Sequence, residues 1–208
     1  MRAIIDMDGT IDDFTNPAIK KVKELFRVDI KAEELTDAGI AKHVWRKLSN
    51  GVKQCWGTSW NLYSAICSEG FFLDLPPLPG AIDAVKKIAE EGIEIVFCTK
   101  VLHWRQASEK AEWLKKYFND IEYMLVVVDK HEAKKLVDAD IIIDDDPRVL
   151  DVVELPIRIL IKQPWNKDHQ DKYVNIAENI TEAAEITIGH KPHIDFWDSQ
   201  SPFNETPN

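Results

Sequence analysis

Five short apolar runs, separated by stretches of helical pattern, constrain this chain more than any other feature. They are residues 2–6 (RAIID), 93–99 (IEIVFCT), 124–128 (MLVVV), 141–144 (IIID) and 157–162 (IRILIK). They are solidly apolar rather than alternating, as a parallel sheet covered on both faces requires. In PGAIDAVKKIAEEG, residues 79–92, Ala81, Val85, Ile88 and Ala89 share one helical face, Pro79 precedes the start and Gly92 can end the helix. In 104–118 the same face is marked by Ala107, Ala111, Leu114 and Phe118. Strand and helix alternate from about residue 78 onward, which predicts an α/β fold, a doubly wound parallel sheet.

Between the first run and DLPPLPG (74–80) the chain shows helical patterns and no convincing strand. The expected organisation is an α/β core of residues 1–15 and 75–187 with a small helical cap, 16–74, inserted after the first strand. From about residue 188 the sequence mixes Pro, Asn, Ser and scattered aromatics without a period, so 188–208 reads as an extended or disordered tail. A chain of 208 residues can bury most of its apolar surface without disulfides or a structural metal.

The balance of 26 basic against 36 acidic residues gives a net charge of −10. That argues against a nucleic-acid polymer as partner, because such binders need a basic face. A small anionic ligand is still admissible, since a few lysines and a metal can reverse the sign inside one cleft. Cys55, Cys67 and Cys98 form no C-x-x-C pair, and no apolar run approaches the roughly 20 residues of a membrane span. No membrane association and a cytoplasmic location are therefore expected. The six histidines do not assemble into a site. The oligomeric state, a homodimer included, is left open.

The apolar runs end in acids. Asp6 and Asp8 follow the first, with Asp12 and Asp13 just beyond, while Asp144, Asp145 and Asp146 close the fourth. Thr99 and Lys100 end the second run, and Lys130 and Lys134 lie between the third and fourth. In an open α/β sheet these segments deliver their polar groups to one rim, beyond the carboxyl ends of the strands. Two like charges about 4 Å apart repel by roughly 4 kcal/mol at an effective dielectric of 20. Several such pairs would rival a domain's whole stability of about 5–15 kcal/mol. The rim needs a cation, and all-oxygen ligands suit Mg²⁺. DMDGTIDD is not an EF-hand loop, since Ile11 stands where Gly is required and Pro17 where Glu is required.

These residues carry a resemblance. DMDGT at 6–10, Thr99 after IVFC, a lysine in 130–135 and IIIDDDP resemble the four motifs of the haloacid dehalogenase-like phosphatases, in their usual order. More narrowly, DMDGTIDDF, GFFLDLPPLPGAIDAV, VFCT, EKAEWLKKYF, ADIIIDDDP and ILIKQPWNK look like the 5′(3′)-deoxyribonucleotidase family.

The resemblance implies a Mg²⁺-dependent phosphomonoesterase acting through an aspartyl-phosphate. Asp6 would be the nucleophile and Asp8 the acid/base, a second acid that dehalogenase members lack. Mg²⁺ would be held by the Asp6 side chain, the Asp8 backbone carbonyl and an acid of 144–146. Asp145 is favoured as the direct ligand, with Asp144 as its neighbour orienting a water or a lysine and Asp146 as a turn residue. Thr99 would bind phosphate, as would Lys134, preferred over Lys130 by its spacing of ten residues from Asp144. Lys110 also matches a family lysine near the phosphate. The family's usual Ser-Pro after the threonine is Lys100-Val101 here. The added Lys100 cation is expected to strengthen phosphate binding or to meet another part of the substrate.

Phe14 matches a base-pocket aromatic, and Trp45 is the first candidate among the cap aromatics. The expected substrate is a small phosphorylated molecule, a nucleoside monophosphate on the nucleotidase reading. The alternatives are a sugar phosphate, favoured by a polar pocket, and, more remotely, a phospho-accepting signalling domain of the response-regulator kind.

Overall fold

In the computed structural model, residues 1–36 and 39–191 are described. Six strands form one all-parallel sheet: β1 (Arg2–Ile5), β2 (Glu94–Lys100), β3 (Tyr123–Val128), β4 (Ile141–Asp144), β5 (Ile157–Ile161) and β6 (Asn175–Ala177). Their spatial order is β3-β2-β1-β4-β5-β6. The chain winds outward from β1 to β3, returns to the far side of β1, and winds outward again. The crevice of such a sheet opens where the order reverses, at the carboxyl ends of β1 and β4.

The apolar runs are explained by burial on both faces. Ala3, Ile5, Ile95, Phe97, Ile141, Ile143, Ile159 and Ile161 point into one apolar cluster, while Ile4, Val96, Cys98, Ile142 and Leu160 point into another. Helices α5 (Ala81–Glu90), α6 (Trp104–Phe118) and α8 (Ile180–Gly189) contribute to the first cluster, and α7 (Pro147–Val152) to the second. Helix α6 has the bounds its periodicity predicts. The expected sheet gains one strand, β6, whose three residues are too few to give a pattern. Helix α8 continues through residues 188 and 189, assigned above to the tail. From residue 192 the tail lies outside the described residues.

Residues 15–66 supply four helices, α1 (Thr15–Phe26), α2 (Ile40–Lys47), α3 (Asn50–Trp56) and α4 (Ser59–Ile66). No strand forms among the described residues of 16–74. Val22, Ile40, Val44, Leu62 and Ile66 are buried, and they join the cluster under the sheet rather than forming a core apart.

Candidate active site

The D-x-D spacing has a local cause. Leaving β1, the chain stays extended, so side chains alternate. Met7 is fully buried in the core, and Asp6 and Asp8 face the crevice. The Asp6 N–H donates to the Ile143 carbonyl at 3.0 Å. The Met7 carbonyl then accepts from the N–H groups of Thr10, Ile11 and Asp12 at 2.9–3.1 Å, which turns the chain back. Gly9 sits in this turn at φ +77°, and a Cβ there would lie 3.2 Å from Asp145 Oδ2 and 3.3 Å from Trp165 Cζ2. Conformation and space both demand glycine.

Two ammonium groups organise the acids. Lys134, on a 3₁₀ segment (His131–Leu136), donates through Nζ to Asp6 Oδ1 at 2.5 Å and to Asp144 Oδ2 at 2.7 Å. Lys110, on α6, donates to Asp8 Oδ1 at 2.5 Å and to Thr99 Oγ1 at 2.7 Å, with Nζ 4.8 Å from the centre of the Phe72 ring. Both lysines are buried, and buried charges need such partners. Lys130 is exposed. Asp145 accepts from the Trp165 indole N–H at 2.8 Å, Asn166 Nδ2 donates to the Asp145 carbonyl at 2.9 Å, and Gln163 Nε2 donates to the Gly9 carbonyl at 2.7 Å. Asp146 caps α7 by accepting from the Arg148 N–H at 3.0 Å, and its carboxylate pairs with the Arg148 guanidinium at 2.6 Å.

Burial raises the Asp145 carboxyl well above its ordinary value, helped by the charges of Asp144, Asp6 and Asp146. Burial also raises Asp8, against the pull of Lys110. For Lys134 burial acts downward, but Asp144 and Asp6 outweigh it and hold the ammonium charged.

Asp6, Asp144 and Asp145 each present a carboxylate oxygen, all within 4.8 Å of one another, and all three residues are buried. One lysine and one indole N–H leave negative charge in surplus among them. A hard divalent cation fits this donor set.

Beside the acids lies a cavity of about 240 Å³. Asp6, Asp8, Thr99, Lys100, Lys134, Asp144, Asp145 and Phe14 line it, so residues from four distant segments are brought together. Lys110 reaches the same acids from behind. Trp45 does not line the cavity; it packs half-buried against the apolar core, and Trp60 and Tyr63 of α4 supply the aromatic wall. On α2, Ile40, Ala41 and Val44 are buried, and this inward set draws the neighbouring Trp45 into packing. His131, one of the six histidines that form no site in the sequence, is half-buried in the cavity wall, its pKa pushed down to about 4 by burial and by Lys100. Gln163, Trp165 and Asn166 were not assigned roles from sequence; the QPWN stretch after the fifth apolar run was their only signal.

The fold of this six-stranded parallel sheet is shared with a protein described as a haloacid dehalogenase-like hydrolase from Burkholderia xenovorans, at a TM-score of 0.55 and 13% identity over 88% of this chain and 94% of that one. A hydrolase from Pseudomonas syringae superposes with a TM-score of 0.59 at 14% identity, over 89% of this chain and 97% of that one. In sequence, the human mitochondrial 5′(3′)-deoxyribonucleotidase is 30% identical over 156 residues, 72% of this chain and 64% of that protein. The chain thus spans less than two thirds of that relative's length. The human cytosolic 5′(3′)-deoxyribonucleotidase is 26% identical over 162 residues, 75% of this chain and 76% of that protein. Residues 1–191 match the family described as 5′ nucleotidase, deoxy (pyrimidine), cytosolic type C protein, and the chain belongs to that family. Among the described residues no helix is long and apolar enough to cross a membrane.

Proposed function

We propose that this protein is a Mg²⁺-dependent phosphomonoesterase, a 5′(3′)-deoxyribonucleotidase acting on nucleoside monophosphates in the cytoplasm. The observation that carries this reading is the pair of lysine clamps. Lys134 holds Asp6 to Asp144 and Lys110 holds Asp8 to Thr99, so nucleophile, acid/base and phosphate ligands face one cavity.

Asp6 Oδ attacks phosphorus, and the ester P–O bond breaks as the aspartyl-phosphate P–O bond forms. The departing alkoxide takes its proton from the Asp8 carboxyl, and the raised pKa of Asp8 keeps that proton available. Asp8, now a carboxylate, accepts a proton from water as that water attacks phosphorus, which releases inorganic phosphate and restores Asp6. Lys134, Lys110 and Thr99 neutralise and orient the phosphoryl oxygens. Asp6, Asp145 and the Asp8 carbonyl would hold Mg²⁺, with Asp144 fixing Lys134. When bound, the ion supplies charge neutralisation at the phosphoryl group. Phe14, Trp60 and Tyr63 offer a base a stacking wall, worth roughly 1–3 kcal/mol per stacked base. The helical segment 16–74 thereby selects the leaving group, and the aromatic wall favours a nucleotide over a sugar phosphate.

The test is phosphate release from deoxyribonucleotides, ribonucleotides and sugar phosphates at equal concentration, with Mg²⁺ or with EDTA. EDTA-sensitive release from deoxyribonucleoside monophosphates is the expected result. Release from sugar phosphates alone would overturn the nucleotide reading.

A further inference from the structure

Two lysines in the cavity wall have no part in the clamps. Lys100, half-buried at the end of β2, and Lys42, on α2, both line the cavity. Every other cation of the wall or its backing is matched. Lys134 is bound to Asp6 and Asp144, Lys110 to Asp8, and Arg148 to Asp146. Among the described residues neither the Lys42 nor the Lys100 ammonium makes a hydrogen bond or ion pair, their only bonds being backbone ones. The Lys100 ammonium is disfavoured by burial first and by Arg148 next; Asp146 and Glu132 offset this in part, and Lys42 adds to the repulsion. A partly desolvated ammonium that makes no direct ion pair costs stability, and it is expected where a ligand supplies the closer charge. That cost stands out in a chain of net charge −10, which has acids to spare.

On the phosphomonoesterase reading the reacting phosphate is served by Lys134, Thr99 and the metal acids, with Lys110 behind Asp8 and Thr99, which leaves this pair for another anion. We propose that Lys100 and Lys42 form a second anion subsite, which receives a further anionic group carried by the leaving group of the substrate. The preferred substrate class is then a phosphate monoester with a second phosphate or a carboxylate, such as a nucleoside bisphosphate. Lys100 comes from the sheet and Lys42 from the inserted helices, so the second anion bridges the two layers and fixes the leaving group between them. This inference rests on the phosphomonoesterase reading above and moves its preferred substrate from a nucleoside monophosphate to a monoester carrying a second anion.

The experiment compares kcat/KM of the Mg²⁺-loaded protein on matched pairs. These are 2′-deoxyadenosine 3′,5′-bisphosphate against dAMP, fructose 1,6-bisphosphate against fructose 6-phosphate, and 3-phosphoglycerate against glycerol 3-phosphate. The wild type should prefer the doubly anionic member of at least one pair. In that pair the preference should fall by about tenfold or more in both Lys100→Met and Lys42→Met, the scale of one lost charge-assisted contact. A preference in the bisphosphate pairs assigns the subsite to phosphate, and one in the phosphoglycerate pair assigns it to carboxylate. Lys42 is exposed, so its variant folds even if Lys100→Met does not. Equal or better turnover of all three singly anionic members, with ratios unchanged in the variants, overturns the subsite and leaves the phosphomonoesterase intact. No phosphate release from any of the six compounds overturns the phosphomonoesterase reading and the subsite with it.

Discussion

Replacing Asp145 by Asn tests the charge argument behind the metal site. The carboxylate oxygens of Asp6, Asp144 and Asp145 lie within 4.8 Å of one another. At an effective dielectric of 20, unit charges at that separation repel by about 3.5 kcal/mol. Lys134 compensates roughly one of the three acids, through its bonds to Asp6 and Asp144, and its ammonium does not contact Asp145. An asparagine keeps the volume and keeps an acceptor for the Trp165 N–H, now 2.8 Å away. The metal-free protein should therefore gain about 2–3 kcal/mol at neutral pH, the remainder being relieved already by proton uptake on Asp145. In a chain of this size that is about 4–12 °C in Tm.

The sign with pH follows from linkage. The folded pKa of Asp145 is raised above its unfolded value, so the folded state binds more protons. Wild-type stability falls as pH climbs from about 4 toward the folded pKa. The advantage of Asp145→Asn should vanish near pH 4 and grow above it. Thermal melts in EDTA at pH 4.5, 6 and 8 measure this, and added Mg²⁺ should raise the Tm of wild type but not of the variant. An Asp145→Asn protein that melts at or below wild type in EDTA at pH 8 would refute the argument.

Asp6→Asn should abolish phosphate release while circular dichroism and Tm show a folded chain; wild-type activity would sink the nucleophile assignment. Gly9→Ala should lose about 1–2 kcal/mol from its left-handed backbone, plus the cost of moving Asp145 or Trp165, read by urea denaturation and by weaker Mg²⁺ binding in calorimetry. Glu109 is buried and accepts from the N–H groups of Gly70 and Phe72 at 2.9 and 3.1 Å. Glu109→Ala should then cost about 2–4 kcal/mol in denaturant midpoint analysis, by leaving both donors unpaired under Lys110.

Much of the fold was legible because burial on two faces writes itself into sequence as unbroken apolar runs. The strands carrying Ile4, Val96 and Ile142 are read directly, and Ala107 to Phe118 mark α6 to the residue. Strand β6 was not legible, since Asn175–Ala177 pairs only with β5 at the sheet edge and needs no apolar run. At the site, motif spacing gathered the acids and Lys134 at one rim, where the structure brings them together, because strand ends deliver them regardless of distant packing. Trp165 and Gln163 were not, as their partners Asp145 and Gly9 lie 20 and 154 residues away. Trp45 lies outside the aromatic wall of the cavity for a related reason. Which cap aromatics reach the cavity depends on how α2 and α4 settle on the sheet, and no local pattern records that.

The braces from Gln163, Trp165 and Asn166 carry a consequence for the order in which the protein is made. Synthesis is vectorial, and Asp6 and Asp8 emerge well before the segment that braces them, at a few to some tens of residues per second. Their turn is not braced at Gly9, nor Asp145 held on both its carbonyl and its carboxylate, until the segment near residue 166 has left the ribosome. The cluster of Asp6, Asp144 and Asp145 is therefore assembled before it is braced, and the bracing waits for the segment around residue 166 to fold back onto Gly9 and Asp145.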